Sequence, residues 1–211
     1  MCGIAGIISN KRDLDKSLAQ MIHSMHHRGP DNGAFKKYNN IGLAHTRLSI
    51  IDLSNSANQP MEDASSISSI VFNGEIYNYQ ELKNDLLKQG FKFLNNSDTE
   101  VLLNGYINEG LSFFEKVRGF YALGLLDKRN QTLLLVRDAY GKKPLYFSSV
   151  NQELIFASEI KTITQQLGTM PTTNYDGLAH YLWKGYYANG ESAYSNIYSL
   201  LPGESIAIDI N

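Results

Sequence analysis

Between Gly119 and Ser158 four apolar runs, GFYALGLLD, TLLLVRD, KPLYFSS and LIFAS, follow one another with only short turn-type segments between them. A parallel strand pair needs a crossover of a dozen or more residues, whereas an antiparallel pair closes through a hairpin. Spacing this short therefore predicts an antiparallel meander and excludes βαβ units across this stretch. Upstream, residues 3–9 read as a buried strand, IGLAHTRLSIID as another, and ISSIVFNGE as a third that stops at Asn73-Gly74. SIAIDI is a further strand near Asn211.

The helical segments fall in two groups around these strands. Leu14, Leu18, Ile22 and Met25 recur at helical spacing, predicting a helix from about Asp13 to His26. NYQELKNDLLKQG and SDTEVLLNGYINEG each show a capping pattern, Asn78 with Glu81 and Ser97 with Glu100, and each ends at a glycine, Gly90 or Gly110. EIKTITQQL and YDGLAHYLWKGYY also read as helices, and HHRGPDNG as a loop. The pattern is α+β, with helices layered on antiparallel strands. The 211 residues read as one domain, with a core of about 2–167, a linker at 168–174 and a C-terminal segment of about 168–211.

Composition sets the compartment. Charged residues are 19% of the chain and the formal net charge is −2, which leaves no basic footprint for nucleic acid. A single cysteine excludes a disulfide framework and a cysteine-rich zinc site, and fits a reducing cytosol. No apolar run approaches the ~18–20 residues of a membrane span. GIAGII is too short for a signal-peptide core and is followed by the charged KRDLDK. The expectation is a cytoplasmic protein that contacts neither membrane nor nucleic acid.

That one cysteine is Cys2. If Met1 is removed, Cys2 carries a free α-amino group with an ordinary pKa of roughly 7.7–8.0. Such an amine can act as general base for its own thiol; a chance cysteine near a frayed terminus is the competing reading. Asn73-Gly74 reads as a hairpin turn, or as two donors for a developing oxyanion. Arg47 faces solvent or grips a carboxylate. Asp98 favours a helix dipole, or holds an ammonium group. The adjacent His26 and His27 lack metal-ligand spacing, and no metal site is expected.

The motifs MCGIAG, HRGPD, RLSIID, QPM, NGEIYNY, SDTEV, GFYALGLLD, VRDAYGKKPLYF, FASEIKTI and LPGE occur in this order along the chain. In that order they resemble the glutaminase domain of glutamine-hydrolysing asparagine synthetases, a class II glutamine amidotransferase among the N-terminal nucleophile hydrolases. HTRLSIID and NGEIYNY match this type rather than the glucosamine-6-phosphate synthase type, which would resemble HTRWATHG and NGIIENY. The resemblance implies a four-layer αββα sandwich of two antiparallel sheets. It implies Cys2 as nucleophile and Asn73 and Gly74 as oxyanion hole. It further implies a glutamine-binding set of Arg47, Leu48, Ser49, Ile50, Asn73, Gly74, Glu75 and Asp98, with Arg28–Asp31 as a nearby loop. Arg137, Asp138 and GKKPLYF are then scaffold. Glutamine is the implied substrate, and a C-terminal synthetase domain of the same polypeptide, with ATP and magnesium, the implied consumer of ammonia. No cofactor is implied for this domain itself, and a homodimer is compatible with the family. Two other readings are a non-catalytic module that senses glutamine or serves docking, and hydrolysis of a different amide on the same fold.

Overall fold

A computed structural model describes residues 1–210. In chain order the elements are β1 (Gly3–Ile8), α1 (Leu14–Met25), β2 (Asn32–Tyr38), β3 (Ile41–Arg47), β4 (Met61–Glu62) and β5 (Ser68–Ile76). These are followed by α2 (Tyr79–Lys88), α3 (Asp98–Glu109), β6 (Gly119–Asp127), β7 (Thr132–Arg137), β8 (Tyr146–Val150) and β9 (Glu153–Ala157). The chain continues through α4 (Ile160–Leu167), α5 (Tyr175–Lys184), β10 (Tyr198–Ser199) and β11 (Ser205–Asp209).

Two sheets form, one ordered β10-β8-β9-β1-β3-β2 and the other β11-β7-β6-β5-β4, and every paired strand is antiparallel. Three apolar layers hold them. Leu18, Met21 and Met25 of α1 and Ile163 of α4 pack on Ala5, Ile7 and Ala44 of the first sheet. Leu82 and Leu86 of α2 and Val101 and Leu102 of α3 pack on Ile70 and Phe72 of the second. Ile4, Leu43, Val71, Leu135 and Phe156 fill the space between the sheets. The arrangement is helix, sheet, sheet, helix, as the resemblance implied. Phe156 is fully buried, and its ring lies where a Cβ on Gly6 of one sheet or Gly124 of the other would stand, at 2.3 and 2.6 Å. Glycine on both sheets lets one ring fill the gap, a burial worth on the order of 2–3 kcal/mol.

Three local expectations need correction, and one strand was not foreseen. Strand β5 does not stop at Asn73-Gly74 but runs to Ile76, with Asn73 opposite Ala122 and Gly74 opposite Tyr121. A Cβ on Gly74 would stand 2.4 Å from the Phe120 carbonyl oxygen, so this glycine serves close strand approach, not a turn. The strand expected over IGLAHTRLSIID ends at Arg47. Asn78 does not cap α2 with its side chain, which instead accepts from Arg118 N–H and donates to the Lys116 carbonyl. Strand β2, with its half-exposed lysines, lies at the sheet edge and lacks the apolar alternation by which a strand is read. By contrast, Ser97 caps α3 by accepting from Glu100 N–H, and Asp13 caps α1.

Arg137 and Asp138 are scaffold, as expected. Asp138 is fully buried and accepts from the backbone N–H groups of Tyr121, Tyr140, Lys142 and Lys143. Arg137 donates to the carbonyls of Lys143, Gly141 and Leu200. Among the described residues no helix is long and apolar enough to cross a membrane.

Candidate active site

Side chains on a strand alternate between its faces. On β3, Leu43 points between the sheets, so His45 and Arg47 share that face. Val71 does so on β5, which aims Asn73 and Glu75 the same way. Ile4 does so on β1, and Cys2 has the same parity. The inter-sheet layer thus turns from apolar to polar towards one end of these three strands. There a small cavity of about 140 Å³ opens, lined by Cys2, Arg47, Leu48, Asn73, Gly74 and Asp98. Ile50 and Glu75 also line it, whereas Ser49 does not. Among the described residues no cluster of three or more His, Cys, Asp or Glu is placed to hold a metal ion.

The Cys2 thiol is half-buried and touches backbone. Its Sγ lies 3.4 Å from Leu48 N–H, which donates to it, and 3.6 Å from the Leu48 carbonyl, to which it donates. Burial pushes the thiol pKa up, with the Leu48 contact and the positive charges of the N-terminus and Arg47 pulling the other way. The thiol is therefore protonated near neutral pH and needs a base to become a nucleophile.

The HRGPD loop carries this arrangement. Arg28 donates through Nε to the Cys2 carbonyl at 2.9 Å and pairs with Glu159 at 3.0 Å. Asp31 receives Ser49 N–H on its carboxylate at 2.7 Å, while its own N–H donates to the Arg47 carbonyl. Ser49 thus anchors the Leu48 segment from outside the cavity.

Arg47 is buried, yet all its acceptors are neutral. It donates to the Ser54 carbonyl at 2.8 Å, to Asn58 Oδ1 at 2.6 Å and to the Asp52 carbonyl. Asp98 is buried at the start of α3 and accepts from Ile76 N–H at 3.0 Å. Burial raises its pKa to about 6 against the pull of that bond and of the N–H groups at the helix start, and the nearby Glu75 charge adds to the rise. The cavity thus offers a buried cation and a pair of acids, the complement of a free amino acid's two charged ends.

Asn73 is 1% exposed, and its Nδ2 has no hydrogen-bond partner in the protein. The N–H groups of Phe72 and Ile76 go to Gln59 Oε1 and Asp98 Oδ2, on the side of β5 away from β6. By the same alternation the Gly74 N–H points to that side, where the cavity lies. Two donors, one side-chain and one backbone, are thereby presented together.

Some lining residues were not singled out by sequence. Gln59, of the QPM motif, accepts from Phe72 N–H at 2.6 Å and donates to Thr99 Oγ1 at 3.1 Å. Ile51 and Asp52 lie in RLSIID. Their membership in those motifs was the available signal. Lys143 also reaches the cavity, from a segment read as scaffold.

The whole chain, residues 1–211, matches the family model described as a glutamine amidotransferase domain. Asparagine synthetase [glutamine-hydrolyzing] 1 of Bacillus subtilis is 38% identical over 168 residues, covering 77% of this chain and 26% of the relative. Amidase chry2 of Gibberella zeae is 34% identical over 217 residues, covering 96% and 32%. A putative glutamine-hydrolyzing asparagine synthetase of Methanocaldococcus jannaschii is 33% identical and covers 100% of this chain and 44% of the relative. The chain thus spans less than half the length of these relatives. Among solved structures, the glutamine phosphoribosylpyrophosphate amidotransferase of B. subtilis superposes with a TM-score of 0.69 at 18% identity, covering 100% of this chain and 49% of that one. This likeness bears on the fold alone, and it agrees with the two-sheet sandwich. The chain belongs to the glutamine amidotransferase domain family.

Proposed function

We propose that Cys2, freed of Met1, hydrolyses glutamine to glutamate and ammonia. The observation that carries this reading is the buried, unpartnered Asn73 amide beside a thiol at the start of β1. Met1 is 57% exposed, which leaves the Met1–Cys2 bond accessible to processing. The thiol needs a base, and His45 is unsuited because burial pushes its pKa down to about 3. The α-amine of Cys2, with an ordinary pKa of roughly 7.7–8.0, suits the task.

The amine takes the thiol proton as Sγ bonds to the side-chain amide carbon. The carbonyl oxygen becomes an oxyanion held by Asn73 Nδ2 and Gly74 N–H. The amine then gives its proton to the nitrogen, the C–N bond breaks, and ammonia leaves a γ-glutamyl thioester. Water, deprotonated by the amine, attacks the thioester carbon; glutamate departs and the thiol regains its proton. Arg47 holds the substrate α-carboxylate, and Asp98 with Glu75 holds the α-ammonium. Leu48 and Ile50 line the pocket, and Ser49 supports it from behind.

The longer relatives named as asparagine synthetases support the further reading that the ammonia passes to an ATP- and magnesium-dependent amide-forming part of a longer polypeptide. The domain needs no cofactor of its own in this account, and its setting is the cytoplasm. The 211-residue chain with glutamine alone is expected to release glutamate and ammonia at a rate unchanged by ATP, magnesium or aspartate. AMP and asparagine formed by this chain would overturn the division of labour. Slower turnover of glutamine than of competing amides would favour another substrate.

The Asp98 assignment predicts a pH effect on binding. The carboxyl is ionised above about pH 6 and neutral below it, so its hold on the ammonium is lost as pH falls. Calorimetry on the Cys2→Ala variant is expected to give a glutamine Kd that is flat above about pH 7. Below pH 6 it should rise about tenfold per pH unit. A Kd unchanged down to pH 5 would remove Asp98 from the binding set. The same raised pKa favours the folded state on protonation, so ionised Asp98 costs stability above pH 6 that is recovered on acidification.

A further inference from the structure

His45 is completely buried between the sheets, at a position where the preceding inward residues of β3, Ile41 and Leu43, are apolar. Its Nε2 lies 3.2 Å from the Phe72 carbonyl oxygen. A carbonyl only accepts, so the ring carries its proton on Nε2, and Nδ1 is a bare acceptor. That Nδ1 is buried with no partner in the protein, as is Asn73 Nδ2 one peptide further on. An unsatisfied buried polar atom costs about 1–3 kcal/mol, and an apolar residue in this layer would avoid it. The histidine does something a leucine would not.

We propose that His45 is a positioning residue for the reaction, which locks the Phe72–Asn73 peptide from the opposite sheet and so aims the Asn73 amide at the developing oxyanion. The inference rests on the oxyanion reading of Asn73 given above. Phe72 is clamped on both sides of its Cα, its N–H by Gln59 and its C=O by His45. On its other side Asn73 pairs with Ala122 of β6, so the His45 bond sets the tilt of the 72–73 peptide within the sheet, and that tilt aims the Asn73 side chain, whose Nδ2 has no hydrogen bond of its own. A donor misplaced by ~1 Å costs up to about 10²-fold in rate. Glutamine binding through Arg47 and Asp98 does not pass through this peptide.

The test contrasts two amide substitutions. In His45→Gln the side-chain NH₂ can occupy the place of Nε2 and keep the bond to Phe72. In His45→Asn it can reach only the place of Nδ1 and loses that bond. His45→Asn is expected to lower kcat about 10–100-fold with KM for glutamine within about twofold, while His45→Gln recovers most of kcat. Affinity for the aldehyde analogue of glutamine, which forms a tetrahedral adduct on Cys2, should fall with kcat in His45→Asn. Binding of glutamine itself, measured with Cys2→Ala in each background, should not change. Equal kcat in the two variants, or KM rising in step with the loss of kcat, would overturn the proposal. Should His45→Asn not fold, the adduct affinity and kcat of His45→Gln decide alone: near-normal values support the bond to Phe72 and a drop of 10-fold or more refutes it. Asn73→Ala run in parallel separates the two readings. If it loses kcat while His45→Asn does not, only the His45 proposal falls; if Asn73→Ala keeps kcat, the oxyanion reading itself is wrong.

Discussion

Cys2→Ala is expected to reduce glutamine hydrolysis by on the order of 10⁴-fold or more while leaving the fold and glutamine binding intact. Loss of a nucleophile removes the covalent route altogether, and Cys2 is the only cysteine in the chain. The substitution is small and half-buried, and the Sγ contacts only the Leu48 backbone at hydrogen-bond distance. The melting temperature should therefore change little. Glutamate release by a coupled assay, with circular dichroism as the folding control, decides the matter. Activity within about tenfold of the wild type would place the nucleophile elsewhere.

The second large effect concerns Asn73. On the oxyanion reading Asn73→Ala removes one of two donors, and loss of such a donor costs about 10²–10³-fold in kcat. The amide contributes most once charge develops on the oxygen, so KM should move far less than kcat. Stability should not fall, because Nδ2 satisfies no protein acceptor in the folded state. Arg47→Ala is expected to give the opposite signature, a raised KM, because a charge that grips the substrate carboxylate would do so in the ground state and transition state alike. A pure KM effect from Asn73→Ala would contradict the oxyanion role.

Much of this site was legible through the motifs before the fold was seen, whereas the strand parity that brings its residues to one face needed the sheets. The apolar runs announce the antiparallel strands, and RLSIID and NGEIYNY carry Arg47, which ends β3, and Asn73 and Gly74, which lie within β5. What sequence could not decide was Asn73-Gly74 itself, because the residues that favour a tight turn also permit close strand approach. The pairing of Asn73 with Ala122 and of Gly74 with Tyr121, and the Phe120 carbonyl 2.4 Å from where a Cβ on Gly74 would sit, distinguish the two. Strand β2 escaped notice because an edge strand with lysines shows no buried alternation. Asn78 looked like a cap because its role depends on Lys116 and Arg118, some 40 residues away in sequence. Gln59, Thr99 and His45 act through contacts between elements, and a lone histidine in an apolar strand carries no local mark of its partner. Its place two residues before Arg47, on the same face, was the one clue.

The central claim is that an N-terminal Cys2 carries the γ-glutamyl group during turnover. Acid-quenching the active protein during turnover of glutamine, then weighing the intact chain and its N-terminal peptide, tests this directly. The account predicts a chain lacking Met1, with one glutamyl group in thioester linkage on the Cys2 peptide. A fully active preparation that retains Met1, or a glutamyl group found on any other residue, would contradict it.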